Sequence, residues 1–161
     1  MSIIHQPQDK LFKQSMSDIK VAREFFENHL PAELLKQIDL STLKLEKESF
    51  IDEQYKASEA DVVYSVKLCN RIDTTYVYVL CEQQSKIDEA IAFRILVYTV
   101  RIMEMHRKKY PRSQLPLVYP LVLYSGEKIW NAPMDIFAMF GKDEALAREY
   151  LFQPYQLIDL H

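Results

Sequence analysis

Apolar side chains in several stretches of the chain recur every three or four residues, the spacing that predicts helices. The first stretch covers residues 18–30, where Ser17 or Asp18 can cap the start and a proline follows the end. A short second helix is expected over 32–37. The longest stretch, 86–110, has acidic residues near its start and basic residues near its end, which complements the helix dipole. We therefore expect two main helices, over 18–30 and 86–110, and a short helix that follows the first of them.

Four other stretches have the patterns of strands. Residues 41–50 alternate apolar and polar side chains, as in a strand with one face in water. Residues 61–68 and 75–82 are apolar on both faces, which predicts the middle of a sheet that is covered on both sides. The stretch 115–126 is also apolar, and Pro120 within it predicts an edge strand or a bulge. The order α, β, β, β, α, β predicts a four-stranded mixed sheet flanked by helices, with the long helix crossing between strands three and four.

Polar residues stand at the ends of the two central strands. If these strands form a hairpin centred on Arg71–Ile72, paired residue numbers add to 143, and Asp61 lies opposite Glu82. Directly opposed residues share a face, and Gln84 shares it as well because it follows Glu82 by two. Two opposed carboxylates repel each other unless a positive charge lies between them. The arrangement therefore predicts a metal ion at this place.

The composition narrows the class of protein. The chain has 161 residues, 48% of them hydrophobic and 27% charged, which fits one globular domain over 1–161. No apolar run approaches the roughly 20 residues that cross a bilayer, and the first residues do not read as a signal peptide. We expect a cytoplasmic protein with no membrane partner.

The small numbers of cysteines and glycines exclude further classes of site, and the net charge bears on nucleic-acid binding. Two isolated cysteines cannot supply a CxxC zinc site, and two glycines exclude a P-loop or a GxGxxG nucleotide fingerprint. A net charge of −3 does not indicate nucleic-acid binding, although a local basic surface is compatible with it.

An aspartate that opens strand two and an E-x-(K/Q) group that closes strand three resemble the PD-(D/E)xK nuclease core. The closer resemblance is to the Rpn family of recombination-promoting nucleases, also known as YhgA-like putative transposases. The chain departs from that family at Gln8 and Gln83, where the family has histidine. The segments that carry the resemblance are QDKLFK (8–13), AREFFENHLP (22–31), STLKLEKESFIDE (41–53), ADVVYSVK (60–67), EQQS (82–85), FRILVY (93–98), LPLVYPLVLYSGE (115–127) and QLIDL (156–160).

The resemblance implies a restriction-endonuclease-like fold and a metal-dependent DNA endonuclease of the recombination or transposition type, with little sequence specificity. Asp61, Glu82 and Gln84 would be the catalytic residues. Asp61 and Glu82, with the carbonyl of Gln83, would hold Mg²⁺ or Mn²⁺, since Mg²⁺ takes oxygen ligands. Gln84 stands where the superfamily commonly has lysine, so it can orient a water or a phosphate oxygen only by hydrogen bonds. Glu24 on the first helix is a weaker candidate for an additional acid.

A non-catalytic protein on the same fold, binding DNA or a protein partner, is the alternative. The acidic net charge and the missing lysine favour this alternative, and the intact Asp61–Glu82–Gln84 set favours the enzyme. A homodimer is left open.

The long helix also allows two interpretations. Arg94, Arg101 and Lys108 recur every seven residues and form one basic stripe, which could follow a DNA backbone. The stripe is also typical of the solvent side of an amphipathic helix, and taken alone it favours this second interpretation. His29 and His106 are expected at the surface.

Overall fold

The computed structural model of the protein describes Leu11 and residues 14–46, 62–71, 74–82 and 87–161. The predicted order of helices and strands is confirmed, with short helices following the last strand. The elements in chain order are α1 (Ile19–His29), α2 (Ala32–Leu35), β1 (Ile38–Leu45), β2 (Val62–Leu68), β3 (Thr74–Glu82), α3 (Ile91–Lys109), β4 (Val118–Tyr124), a 3-10 helix (Phe137–Asp143) and α4 (Glu144–Tyr150).

The four strands form one mixed sheet in the order β1-β2-β3-β4. β1 and β2 are antiparallel, as are β2 and β3, whereas β3 and β4 are parallel. A parallel pair requires a crossover, which α3 provides, as the sequence predicts. Pro120 lies in β4 at the edge of the sheet, where its missing N–H leaves no interior hydrogen bond unmade.

The predicted register of the β2–β3 hairpin is wrong by two residues. Val62 pairs with Val79 and Val63 with Tyr78, so paired residue numbers add to 141 instead of 143. The reason is the turn, which is centred one residue earlier than predicted and holds Asn70 at φ 57°. Asparagine is one of the few residues that tolerate this left-handed conformation.

One face of the sheet packs against α1, and we call it the α1 face. It carries Val62, Tyr64 and Val66 of β2, which pack with Ala22 and Phe26 of the helix. The rings of Phe26 and Tyr64 meet edge to face, with centroids 5.0 Å apart, and both residues are 0% exposed. This packing confirms the predicted apolar stripe of α1.

The ends of several elements differ from the predicted bounds. Asp18, one of the two predicted caps, accepts a hydrogen bond from the backbone N–H of Lys20 at 2.9 Å. β1 begins at Ile38, three residues earlier than predicted. α3 begins at Ile91 instead of 86, because the Asp88 carboxylate accepts the backbone N–H of Ala90 at 2.8 Å and organises the turn that precedes the helix.

The other face, which we call the α3 face, packs against the long helix. The buried residues of this layer, from the strands and from the helix together, are Val63, Tyr76, Ile91, Tyr98, Ile102 and Val118. Among the described residues, no helix is both long enough and apolar enough to cross a membrane.

His106 is buried on the α3 face at 4% exposure, so its predicted surface location is wrong. It follows Ile102 by four residues and therefore lies on the buried side of the helix. Its Nδ1 lies 2.8 Å from the Tyr76 hydroxyl, and its Nε2 lies 2.9 Å from Oγ of Ser113. His29 is exposed as predicted, stacked on the ring of Phe25.

Candidate functional site

Glu82 is the last residue of β3 and pairs with Tyr124, the last residue of β4. Because strand residues alternate between faces, the backbone register assigns Glu82 to the same side as Tyr76. The predicted acidic position therefore lies at the carboxyl end of two parallel strands, on the α3 face. This is the end of a parallel sheet where ligands commonly bind in open α/β folds.

The residues after β4 form an aromatic wall beside this position. The Tyr124 hydroxyl donates a hydrogen bond to the carbonyl of Lys128 at 2.8 Å, and its ring meets Trp130 edge to face at 5.0 Å. Gly126 lies directly against the Tyr124 ring, so a Cβ there would collide with it. The glycine thus allows the tyrosine to fold back over its own loop.

An apolar cavity of about 230 Å³ adjoins the wall, between the start of α3 and the end of β4. Ile91, Ile95 and Val122 line it together with Tyr124 and Trp130. No pattern in the sequence places the aromatic residues after β4 beside the position of Glu82. The order of the elements could have indicated this proximity, because a parallel β3–β4 pair brings the loop after β4 to the end of β3.

Most of the predicted catalytic and metal-binding residues lie outside the described part of the chain. Asp61, Gln83 and Gln84 belong to this group, and of Glu82 the structure describes the backbone. Within the residues that are described, no group of three or more His, Cys, Asp or Glu side chains could hold a metal ion. The predicted donors are carboxylate and amide oxygens, the ligand type that Mg²⁺ and Mn²⁺ prefer.

The predicted basic stripe lies along α3, but its members are not equivalent. Arg94 forms an ion pair with Asp88 at 2.6 Å, and Arg101 forms one with Glu104 at 3.0 Å. Lys108 is exposed near the end of the helix. Two of the three predicted DNA contacts therefore have acidic partners within the chain.

Glu24 is exposed on α1, the helix that covers the opposite face of the sheet. The structure therefore separates Glu24 from the position of Glu82, and it does not support Glu24 as an additional acid of this site.

The buried polar groups of the α3 face are held neutral. Burial lowers the pKa of His106, and the nearby charge of Lys109 lowers it further. Burial raises the pKa of Tyr76, as do the Glu46 carboxylate and Tyr110. At neutral pH the Tyr76–His106–Ser113 group is an uncharged hydrogen-bonded connection between β3 and the end of α3.

A family model described as "Putative transposase, YhgA-like" matches residues 6–161. The chain is 40% identical to recombination-promoting nuclease RpnC of Escherichia coli K12, over 96% of this chain and 50% of the relative. It is 37% identical to recombination-promoting nuclease RpnD of Escherichia coli O157:H7, over 96% of this chain and 58% of the relative.

A further relative carries a different description. The inactive recombination-promoting nuclease-like protein RpnE of Escherichia coli K12 is 35% identical over 99% of this chain and 52% of its own length. The chain thus spans about half the length of these curated relatives. No solved structure matches it significantly. The chain belongs to the YhgA-like putative transposase family, together with these recombination-promoting nucleases.

Proposed function

We propose that the chain is a metal-dependent DNA endonuclease that hydrolyses phosphodiester bonds with little sequence specificity. The observation that carries the proposal is its similarity to relatives named recombination-promoting nucleases, at 37% to 40% identity over 96% of the chain. The four-stranded mixed sheet, with Glu82 at the carboxyl end of β3, is compatible with a nuclease fold.

Asp61 and Glu82 are the proposed metal ligands. In the observed register, the numbers of directly paired residues add to 141. Two residues whose numbers add to 143 are therefore diagonal neighbours, which still lie on the same face of the sheet. If the ladder continues by one residue beyond Val62, the two acids share one side of the sheet in a diagonal relation instead of direct opposition. Mg²⁺ or Mn²⁺, when bound, supplies an activated water and stabilises charge on the phosphate.

Gln83 and Gln84 have supporting roles in this proposal. The carbonyl oxygen of Gln83 is a further ligand, and the side chain of Gln84 orients the attacking water or a phosphate oxygen by hydrogen bonds. A neutral amide cannot stabilise a developing hydroxide through charge as lysine does. We therefore expect slow cleavage.

A catalytically inactive module that binds DNA or a protein partner is the second candidate. It is favoured by the relative RpnE, which is named inactive although it matches 99% of this chain. Glutamine at position 84 also favours an inactive module, because it places a neutral amide where the superfamily commonly has the cation of a lysine.

Incubation of purified protein with supercoiled plasmid and Mg²⁺ or Mn²⁺ separates the two candidates. The wild type should nick or linearise the plasmid, while Asp61→Ala and Glu82→Gln should each lose at least a hundredfold in rate if they are metal ligands (about 3 kcal/mol). Glu24→Gln is the matched control, since Glu24 is an exposed acid on the opposite side of the sheet.

Each outcome either removes the proposed site or favours one of the two candidates. Cleavage that survives in both Asp61→Ala and Glu82→Gln would mean that these acids are not the site. If the wild type does not cut and Gln84→Lys gains metal-dependent cleavage, the fold is competent and glutamine makes it inactive. No cleavage by either protein would favour a binding module.

A further inference from the structure

Four cations are concentrated where α3 ends. Arg107, Lys108 and Lys109 occupy its last turn, and Arg112 follows in the next loop. All four are exposed, and we call them the basic cluster. The sequence contains no aspartate or glutamate between Glu104 and Glu127. The chain as a whole carries −3, so this surface has the opposite sign from the molecule's net charge.

The basic cluster differs in its partners from three arginines of the structure. Arg94, Arg101 and Arg148 form ion pairs with neighbouring acids, at distances between 2.6 and 3.0 Å. Within the described part of the chain, none of the four cluster residues forms an ion pair. Lys109 contacts the ring of Tyr110 at 5.4 Å from its centroid, which leaves its charge uncompensated.

Stabilisation of the helix end explains only part of this arrangement. Cations near a helix C-terminus interact favourably with the helix dipole. This effect falls off within the last turn, so it does not account for Arg112, which lies three residues beyond Lys109. Arg107 and Lys108 also line a surface depression of about 450 Å³ with Arg101, Pro111 and one acid, Glu104, so that three cations face a single carboxylate. A concave surface with excess positive charge is suited to an extended anion.

The distance between the basic cluster and the position of Glu82 determines how long a DNA segment must be to reach both. α3 begins at Ile91, which lines the cavity beside Tyr124, the strand partner of Glu82. The helix has 19 residues, so its far end lies about 27 Å from its start at 1.5 Å per residue. One strand of DNA advances 3.4 Å per nucleotide, so this length corresponds to about eight base pairs.

We propose that the basic cluster binds the phosphate backbone of a DNA duplex at about eight base pairs from the scissile bond. The inference rests on the proposed nuclease function and adds a holding surface remote from the catalytic residues. The proposed contact with DNA therefore lies at the end of the helix, and not along the stripe of Arg94 and Arg101, which have acidic partners. Of the three residues in the predicted stripe, Lys108 alone belongs to this surface.

The test is the salt dependence of DNA binding in the absence of cleavage. The protein carries Asp61→Ala, the buffer contains EDTA, and fluorescence anisotropy reports binding to a duplex of about 20 base pairs at about 50 to 200 mM salt. The variant replaces the cluster by Arg107→Gln, Lys108→Gln, Lys109→Gln and Arg112→Gln. A matched control replaces four exposed lysines elsewhere: Lys20→Gln, Lys36→Gln, Lys67→Gln and Lys142→Gln.

The slope of log K against log salt changes by about 0.9 for each phosphate contact that is lost. We expect the cluster variant to reduce the slope by roughly 2 to 4, and the control by less than about 1. Equal reductions in both proteins would mean that net charge alone matters, and an unchanged slope in the cluster variant would also overturn the inference while leaving the nuclease function intact.

Two further outcomes would overturn the inference, and the second of them identifies a different partner. If the parent protein does not bind the duplex at any of these salt concentrations, the inference fails, and cleavage of plasmid then decides the proposed function separately. If the cluster variant loses binding to polyglutamate but keeps its binding to the duplex, the surface serves an acidic protein partner instead. Thermal melting of all variants verifies that each one is folded.

Discussion

The two faces of the central sheet are built differently. On the α1 face, Phe26, Tyr64 and Val66 are at most 1% exposed and pack as an almost wholly apolar layer. The Tyr64 hydroxyl is satisfied by a hydrogen bond to the carbonyl of Met16 at 2.5 Å. This face therefore has the deep burial and the apolar character of a core whose role is stability.

The α3 face combines apolar packing with buried polar groups and open volume. Tyr76, His106 and Ser113 form a hydrogen-bonded chain at one end of α3. At the other end lie the cavity beside Trp130 and the strand position of Glu82. Hydrogen-bonded polar groups and open volume stabilise a fold less than close apolar packing does, so we expect the α3 face to contribute less to stability than the α1 face.

The comparison predicts the largest loss of stability from the α1 face. Phe26→Ala removes a fully buried ring and its contact with Tyr64, which should lower the free energy of unfolding by about 3–5 kcal/mol. Urea denaturation followed by circular dichroism measures this change. Val21→Ala on the exposed side of the same helix is the control and should cost less than about 1 kcal/mol. A loss below about 1 kcal/mol for Phe26→Ala would contradict this account of the core.

A smaller loss should follow when the α3 network is broken. Tyr76→Phe removes the hydroxyl that contacts His106 Nδ1 and leaves a buried polar atom without that partner, which should cost about 1–3 kcal/mol. Tyr119→Phe in β4 is the control, because the Tyr119 hydroxyl forms no hydrogen bond within the described residues. Equal stability changes in the two variants, measured by urea denaturation, would show that the network contributes nothing.

The pH dependence of stability should sharpen the same comparison. Burial lowers the pKa of His106 in the folded protein, so the unfolded chain binds a proton first as the pH falls through about 6.5. Stability is therefore full above pH 6.5 and decreases below it, by at most about 1.4 kcal/mol per pH unit for this one group. The charged or titratable neighbours are Lys109, Tyr110 and Tyr76, with Glu46 close to the tyrosine.

His106→Gln should flatten the stability curve in the pH range just below about 6.5, because it removes the group whose pKa burial lowers. Asp39 and Asp135 do not interfere in this window. Their pKa values are lowered from 3.8, so their contributions are lost only at more acidic pH. A wild-type slope retained by His106→Gln would contradict the assignment.

Local chemistry made part of the fold predictable from the sequence. The Asp18 cap and the stripe of α1 depend on residues within one or two helical turns, and the edge position of β4 follows from the missing N–H of Pro120. The β2–β3 register was not predictable from the pattern alone, because it depends on the left-handed conformation of Asn70.

The surroundings of the site required information from distant parts of the chain. Tyr124 and Trp130 reach the end of β3 only because β4 pairs in parallel after the α3 crossover. His106 was misplaced because its side chain is polar, although its spacing from Ile102 indicated the buried side of the helix. Asp61, Gln83 and Gln84 stay predictions of the sequence and of its resemblance to the family.

Isothermal titration of Mn²⁺ into the protein tests most directly whether Asp61 and Glu82 hold a metal ion together. The account predicts saturable binding by the wild type and by Glu24→Gln, and a loss of at least tenfold in affinity for Asp61→Asn and for Glu82→Gln (about 1.4 kcal/mol). Binding by the Asp61→Asn/Glu82→Gln double variant that equals the wild type would contradict it.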